Sequence, residues 1–286
     1  MYKIIEKKQF SEDVFYMKVM APDIARNRKA GQFVLVQVDL EFGERVPLTI
    51  ADADAEAGWI ALVLQAIGAS TLKLSRMNEG EDIPVVLGPL GNPTHIEKVG
   101  TVICVGGGIG VAPLYPIAQA YKAAGNKLIV IMGARNKGLL IFEDEMRALA
   151  DELIIMTDDG SAGRKGLVTE PLKELCEQNP KPNEVVAIGP PIMMKFCAVT
   201  TKPYNIHTVA SLNTIMIDGT GMCGCCRVTV DGKTQFVCVD GPEFDGHLVD
   251  FDNMMLRMRS FKGREQEDMH KCRNMETEAV AAGGGK

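Results

Sequence analysis

The sequence predicts an antiparallel β barrel, then a doubly wound parallel-sheet α/β domain, then a small glycine- and cysteine-rich C-terminal module. Three observations carry this. Residues 1–98 form short β-rich runs broken by Gly, Pro and Asp; from Thr101 apolar strand-like runs alternate with helical stretches; from Asn205 to about Gly246 glycine and cysteine accumulate. Many short strands with turn breaks suit a small barrel, and strands alternating with helices suit a parallel sheet covered on both faces.

In order, the barrel runs are VFYMKVM, GQFVLVQV, RVPLTIA, WIALVLQA and DIPVVLGPLG. TVICV, KLIVIMG and ELIIMTD are the strands of the second segment, separated by APLYPIAQAYKAAG and IFEDEMRALADEL, which read as helices, and the alternation continues to about Met194. DFDNMMLRMRSF reads as a short amphipathic helix whose apolar face suits the core or a docked partner. Residues from Gly263 on are polar, and AVAAGGGK is expected to be a disordered tail. The expected division is 1–98 for the barrel, 99–205 for the α/β domain, 206–262 for the cysteine-rich module with its helix, and 263–286 for a flexible tail.

The 286 residues, 46% of them apolar, suffice for two domains and a small third. A net charge of −6 provides no basic patch, which argues against nucleic-acid binding. The N-terminus, MYKIIEKKQF, is charged too early for a signal peptide. The uncharged stretch from Val102 to Ala118 holds a glycine cluster and two prolines, so it reads as a buried strand and loop rather than a membrane span. No membrane insertion and a cytoplasmic location are expected. Eight cysteines in such a chain favour metal or cluster ligation over disulfides.

In VICVGGGIGVAP a strand is followed by four glycines within five positions and then a helical pattern beginning near Pro113. Glycines at such a turn let the backbone approach a pyrophosphate, and the next helix offers its free N–H groups to the anion. A tight strand-to-helix turn in any α/β domain has the same residues, because the spacing departs from G-x-G-x-x-G. The second strand ends in Gly133-Ala134-Arg135-Asn136, with no acid to grip a ribose diol. The third ends in Thr157-Asp158-Asp159-Gly160, and carboxylates there would repel a 2′-phosphate, which favours NAD(H) over NADP(H); a solvated turn is the plainer account of both acids.

In the barrel, Arg45-Val46-Pro47-Leu48-Thr49 runs into one strand, and Gly68-Ala69-Ser70-Thr71 opens the helical stretch LKLSRM. Ser70 or Thr71 is placed to cap that helix while its amides receive a diphosphate. From these residues alone, an N-cap and a strand account for the pattern without a ligand.

RVPLT, GAST, GGGIGVAP, TDDGS, IGPPIMM and a cysteine-rich C-terminus, in that order, resemble the ferredoxin-NADP reductase superfamily over residues 1 to about 262. The resemblance is to the branch holding the electron-transfer subunit of class B dihydroorotate dehydrogenase and the small subunit of NADH-dependent ferredoxin:NADP oxidoreductase. It implies an FAD-binding barrel, an NAD(H)-binding α/β domain and a [2Fe–2S] module. Pro47, Leu48 and Thr49 would touch the isoalloxazine, Val63-Leu64-Gln65 would lie along the FAD, and Ser70 and Thr71 would hold its pyrophosphate. Arg45 stands one position earlier than the superfamily's phosphate-binding arginine, where this chain has Val46. Gly106, Gly107, Gly108, Gly110 and Asp158 would meet the nicotinamide nucleotide, with Gly189 and Pro190 as the far wall; Ile188 replaces the cysteine of many relatives. Hydride transfer between stacked rings needs no general acid or base, so no catalytic residue is expected. The histidines at 95, 207, 247 and 270 lack ligand spacing and read as structural or surface residues.

A plant-type [2Fe–2S] site uses C-x₄-C-x₂-C and one later cysteine. This chain has Asp218, Cys223, Cys226 and Cys238, that is D-x₄-C-x₂-C-x₁₁-C. The dihydroorotate relatives have cysteine at the Asp218 position, and the oxidoreductase small subunit is the relative with an aspartate. An ionised carboxylate can bind ferric iron, and Gly219, Gly221 and Gly224 keep the loop turning, so Asp218 is expected to be a ligand. Cys225 competes as the fourth thiolate, though adjacent residues in an extended turn point apart. A zinc site competes too, but has only one C-x₂-C here. Cys104, Cys176, Cys197 and Cys272 are isolated thiols. A terminal one-electron carrier implies a larger flavin and iron–sulfur partner subunit that reaches ferredoxin and NADP(H), with electron bifurcation implied by the resemblance. The alternative is the electron-transfer subunit of an NAD-dependent dihydroorotate dehydrogenase, and a third reading is a non-enzymatic zinc module on a reductase-like scaffold.

Overall fold

The computed structural model describes residues 1–41 and 43–283. The N-terminal sheet contains β1 (Tyr2–Gln9), β2 (Val14–Met20), β3 (Phe33–Gln37), β4 (Val46–Asp54), β5 (Trp59–Gln65), β6 (Asp82–Ile83) and β7 (Val85–Leu90), with helices α1 (Pro22–Asn27) and α2 (Ala69–Arg76) in its connections. Its order is β6-β1-β2-β5-β4-β3-β7, with neighbours antiparallel. The two edge strands, β6 and β7, are separated only by Pro84, so consecutive chain joins both ends of the sheet and closes the barrel.

Side-chain alternation gives this sheet two apolar faces. Met17 and Val19 of β2, with Ile60, Leu62 and Leu64 of β5, fill the barrel. Val14 and Tyr16, with Ala61 and Val63, face outward onto the second domain. Strand β4 changes partner along its length. It pairs with β3 from Val46 to Thr49 and with β5 from Ile50 to Asp54, through an irregular register at Ile50/Asp52. From Val63 to Gln65, β5 is paired only with β2. A gap therefore opens between β4 and β5 at one end of the barrel.

The second sheet is built from β8 (Thr101–Gly107), α3 (Val111–Ala123), β9 (Lys127–Ala134), α4 (Glu143–Leu149), β10 (Glu152–Thr157), β11 (Arg164–Lys165), α5 (Thr169–Cys176), β12 (Glu184–Ile188), α6 (Pro191–Thr201) and β13 (His207–Ser211). The hairpin β14 (Arg227–Val230) and β15 (Lys233–Phe236) follows, then β16 (Glu243–Asp245), α7 (Phe251–Met258) and α8 (Lys262–Gly283). The order is β11-β10-β9-β8-β12-β13-β16, parallel except for β16, which runs antiparallel to β13. Strands buried on both faces read as continuous apolar runs. Along β8, Val102 and Cys104 pack with Leu114 and Tyr121 of α3, and Ile103 and Val105 pack with Leu172 of α5 and Met194 of α6.

Two expectations about boundaries change. The α/β sheet runs past residue 205: β13 is its next strand and β16 its edge, because HTVAS pairs in register with Glu184–Ala187 before the cysteine-rich stretch begins. Residues 263–283, expected to be flexible, continue as α8. Their sequence contains no proline and is rich in Glu, Lys, Arg, Met and Ala, all good helix formers. The end of that tail, 284–286, lies outside the described residues.

The C-terminal module has no separate core. Cys226, Val228, Val237, Cys238, Phe251 and Met254 join the apolar layer that holds Phe33 and Leu35 of β3 and Met194 of α6. The α7 face carrying Phe251 and Met254 is thus spent on packing, and Asp250 caps the helix by accepting from the Asn253 N–H at 3.0 Å. Two of the histidines are tied into the fold, His247 Nε2 lying 2.9 Å from Thr201 Oγ1 and His207 pairing with Glu184, while His95 and His270 are exposed.

One acid is held at the seam of all three modules. Glu243 on β16 accepts a hydrogen bond of 2.7 Å from Thr94 Oγ1, and a Cβ on Gly31 of the barrel would stand 2.9 Å from its Oε1. Burial pushes its carboxyl up to about 7, against the lowering effect of Thr94 and with the charge of Glu184 adding to the rise. The folded protein then holds a proton that the unfolded chain has released. Stability falls as pH rises from the ordinary glutamate range to about 7 and levels off above it. Glu243→Gln is expected to abolish this component, melting on the order of 5 °C above the wild type at pH 8 and close to it at pH 5. Thermal melts across that range check it, and parallel curves for the two proteins would contradict it.

Candidate functional site

A cleft of about 920 Å³ lies where the barrel gap meets the C-terminal ends of β8, β9, β10, β12 and β13. Open α/β sheets bind ligands at this end of their strands. From the barrel, Phe33, Pro47, Leu48, Thr49, Val63 and Gln65 line it; from the α/β domain, Gly107, Gly108, Gly110, Asp158, Gly189 and Pro190 do so. Residues predicted for two different ligands thus share one continuous wall.

Four of the predicted barrel residues are placed elsewhere. The Leu64 side chain is 0% exposed inside the barrel, since alternation along β5 sends Val63 and Gln65 to the cleft and Leu64 away from it. Arg45 precedes β4, and its Nε reaches Gln37 Oε1 at 3.5 Å rather than the cleft wall. Ser70 and Thr71 are also off that wall. The N-cap of α2 is Gly68, not Ser70 or Thr71; its N–H donates to Thr71 Oγ1 at 3.0 Å, so that hydroxyl serves its own helix. What α2 still offers an anion is the first-turn amides that helix geometry leaves without acceptors.

The glycines divide between packing and approach. Gly106 is buried behind the wall, and a Cβ there would lie 2.9 Å from Val111 Cγ2. Gly107 and Gly189 let two turns touch, a Cβ on Gly189 falling 3.1 Å from the Gly107 Cα. Gly108 differs from Gly106, Gly107 and Gly110 in having open space on the cleft side. Its φ of +55° is one that residues with a Cβ rarely adopt, and nothing stands within 4 Å of where a side chain would go. A turn of 3₁₀ helix from Gly108 to Gly110 leads into α3, which starts at Val111, ahead of the expected Pro113.

At the far rim, Asp158 and Arg135 both line the cleft. Asp159 does not; its Oδ1 accepts from Ser161 Oγ at 2.6 Å and Ser161 N at 2.9 Å, which holds its carboxyl below the usual range and fixes the turn. Sequence reasoning missed the end of β13 and the stretch after it, where Ser211, Leu212, Asn213, Thr214 and Met216 form part of the lining. The signal was available in HTVAS, whose strand end falls at the same level as the others. Among these residues Thr214 stands out. It is 8% exposed, and its Oγ1 has no hydrogen-bond partner.

The cysteine-rich loop turns at Gly219, Gly221 and Gly224, with φ of +75°, +81° and +66°. Asp218 organises it: Oδ1 accepts from the Thr220 N–H and Oδ2 from the Cys223 N–H, each at 2.6 Å. The Thr220 amide first, then Cys223, hold the carboxyl down at about 2, so it is ionised at neutral pH. Cys226 and Cys238 are buried with their sulfurs 3.2 Å apart, whereas Cys223 is exposed. Burial, reinforced by Cys226, pushes the Cys238 thiol up to about 12. Cys225 lines a smaller cavity of about 210 Å³ with Arg227 and Arg257, and its thiol also lies against that of Cys223. The four spaced residues form two pairs, Asp218 with Cys223 and Cys226 with Cys238. Among the described residues no three His, Cys, Asp or Glu side chains converge on a single ion position. A zinc site needs such convergence, while a two-iron cluster asks for two ligands per iron, so the donor set fits the cluster better than zinc.

The loop is seated on the barrel. A Cβ on Gly219 would lie 2.8 Å from both Leu35 Cδ1 and Leu90 Cδ1, and Phe33, two residues before Leu35 on β3, lines the cleft.

Residues 104–198 match the family model of the oxidoreductase NAD-binding domain, and residues 213–250 that of the iron–sulfur cluster binding domain of dihydroorotate dehydrogenase B. The chain is 46% identical over 275 residues to the dihydroorotate dehydrogenase B (NAD(+)) electron transfer subunit homolog of Thermotoga maritima, covering 96% of each. It is 32% identical over 249 residues to the dihydroorotate dehydrogenase B (NAD(+)) electron transfer subunit of Fusobacterium nucleatum, covering 84% of this chain and 93% of that one. A solved chain of an NADH-dependent reduced ferredoxin-NADP oxidoreductase, studied for flavin-based electron bifurcation, superposes with a TM-score of 0.89 at 44% identity, covering 95% of this chain and 97% of that one. With a closed barrel, a sheet ending on a shared cleft and a cysteine loop seated against both, the chain is an oxidoreductase of the dihydroorotate dehydrogenase B electron-transfer subunit family, with a ferredoxin-reductase-like fold.

Proposed function

We propose that this chain is the NADH-linked electron-transfer subunit of a heteromeric ferredoxin:NADP oxidoreductase of the electron-bifurcating kind. The observation that carries the reading is Asp218: it heads the cluster loop, ionised and bonded to the Cys223 amide, where the resemblance assigns cysteine to the dihydroorotate branch. The 44% identity to the solved NADH-dependent oxidoreductase chain supports it. An electron-transfer subunit of dihydroorotate dehydrogenase is the second reading, favoured by the relatives that carry that name. Either way the chain works with a larger subunit, and the oxidoreductase reading gives that partner a second flavin and further iron–sulfur clusters, with ferredoxin reached through it.

The cofactors are FAD, NAD(H) and a [2Fe–2S] cluster. When bound, the flavin supplies the exchange between the two-electron chemistry of the nicotinamide and the one-electron chemistry of the cluster. The residues supply position and dryness. Pro47, Leu48 and Thr49, with Val63 and Gln65, border the gap between β4 and β5 and hold the flavin ring. The first-turn amides of α2 take its diphosphate, as Gly108 and the start of α3 take that of the nicotinamide nucleotide. Gly189 and Pro190 wall the nicotinamide against the ring, and Asp158 accepts from the adenosine ribose. No general acid or base is needed at this site, because stacking and exclusion of water suffice. Asp218, Cys223, Cys226 and Cys238 would hold the cluster, with Cys225, the neighbour of both Cys223 and the smaller cavity, outside the ligand set.

Three outcomes follow. Asp218→Ala is expected to lose more than half of the iron bound per chain, while Asp218→Cys keeps it with an altered electron-spin resonance; wild-type iron and spectra in Asp218→Ala would remove the ligand assignment. Reduction of the bound flavin is expected to be at least about tenfold faster with NADH than with NADPH, and Asp158→Ser to narrow that gap. The complex purified with its native partner is expected to reduce NADP⁺ from NADH and reduced ferredoxin together and to leave dihydroorotate untouched. Formation of orotate with NAD⁺ would favour the second reading instead.

A further inference from the structure

We infer that Arg257 of α7 is a positioning residue for the iron–sulfur cluster: its guanidinium fixes the peptide that leads into Cys226 and sets a positive charge beside the loop, which raises the reduction potential of the bound cluster. This rests on the reading that the loop holds a [2Fe–2S] cluster through Asp218, Cys223, Cys226 and Cys238. In the C-x₂-C segment, successive carbonyls have different donors. Gly224 O accepts from the Arg227 N–H at 3.3 Å, and Cys226 O from the Val237 N–H at 3.2 Å. Cys225 O, between them, accepts from Arg257 Nη2 at 3.3 Å, a group 32 residues further along the chain. A trans peptide is planar, with its C=O and N–H on opposite edges. Holding the Cys225 carbonyl on α7 therefore turns the Cys226 N–H away from that helix. Among the described residues the amides of Gly224, Cys225 and Cys226 have no hydrogen-bond acceptor in the protein. Hydrogen bonds donated to cluster sulfurs are one of the levers that set a cluster's potential, and these amides are free to make them.

Charge acts in the same direction. Among the described residues neither Arg257 nor Arg227 forms an ion pair, and both line the smaller cavity with Cys225. A cluster held by a carboxylate and three thiolates is negatively charged and becomes more so on reduction, so a cation nearby favours the reduced form. Arg257 is the better fixed of the two. It is half-buried on a helix anchored by Phe251 and Met254, whereas Arg227 is exposed. An arginine near a helix C-terminus often serves the last carbonyls of its own helix. Here the carbonyls of Leu256 and Arg257 already accept from the Arg259 and Ser260 amides, which leaves the guanidinium to the loop.

Redox titration of the full chain with its cofactors, followed by electron-spin resonance and iron content, tests this. Arg257→Met keeps the stem and removes donor and charge; it is expected to weaken the cluster's hold on its electron about threefold, roughly 30 mV for a one-electron couple, and to alter the resonance of the reduced cluster. Arg257→Lys keeps the charge and a donor, and is expected to recover most of that shift. Arg259→Met removes an exposed charge at the end of the same helix and is expected to match the wild type in potential and spectrum. A wild-type potential and spectrum in Arg257→Met overturn the inference, even if that variant melts lower. So does an Arg257→Lys that cannot be told from Arg257→Met in potential, spectrum and iron content. A shift in Arg259→Met as large as that in Arg257→Met would reduce the effect to net charge and overturn it too. If Arg257→Met loses its iron, retention of iron and a wild-type spectrum by Arg257→Lys supports the inference. A wild-type chain that binds no [2Fe–2S] cluster would bring down the underlying reading, whereas a cluster indifferent to residue 257 brings down this inference alone.

Discussion

Phe33 and Leu35 project from the same face of β3, and that two-residue spacing ties the cleft to the cysteine loop. Phe33 lines the cleft; Leu35, one pleat further on, carries Gly219. A strand advances about 7 Å over two residues, so the two features share one rigid support. The apolar layer on that face also holds Met194, Cys226, Cys238 and Phe251, drawn from every module of the chain. Any relative movement of the barrel and the cluster loop would have to break this layer. The separation of the cleft from the cysteine loop is thus set by packing rather than by a linker.

The barrel, the α/β alternation and the cluster spacing were legible because each leaves a local signature: turn residues between short strands, continuous apolar runs, and cysteines at fixed intervals. What was not legible depended on which way a side chain faces or where a strand is recruited. Leu64 lies in VLQ between two cleft residues, yet the period of two turns it inward. The hydroxyl of Thr71 looked free for a ligand, but the glycine before its helix needed it. Gly106 and Gly108 look equivalent in a run of glycines, and only the packed neighbours separate a glycine needed for contact with Val111 from one needed at an open surface. The cleft stretch after β13 was missed because the cysteine-rich composition drew the boundary at 205, while sheet pairing places it after Ser211.

Asp218 serves the fold of its loop independently of the ligand role proposed for it. In a loop that turns through three left-handed glycines, its carboxylate satisfies the Thr220 and Cys223 amides, much as an N-cap aspartate does for a helix. An alanine would leave both amides unsatisfied, whereas a cysteine thiolate offers only a weaker acceptor. This accounts for the loop keeping its shape without a thiol at its head. It also explains why the carboxylate is ionised before any metal arrives, so that ligation at this position need not displace a proton.

The two donor pairs also give the proposed cluster an inside and an outside. Cys226 and Cys238 are buried in the layer shared with β3, whereas Cys223 is exposed and Asp218 is half-buried beside it. Around the outer pair the surface is apolar where a free-standing protein would be expected to be polar: Met222 is 89% exposed, Ile217 50% and Val239 39%. Such residues beside an exposed metal ligand gain little from water and much from being covered. In the proposed relay, an electron from the cleft would enter on the buried side and leave on the exposed side, where a partner subunit would sit. The polarity of the loop therefore gives the relay a spatial direction across the subunit, and it arises from the same packing of Leu35 and Leu90 under Gly219 that holds the loop in place.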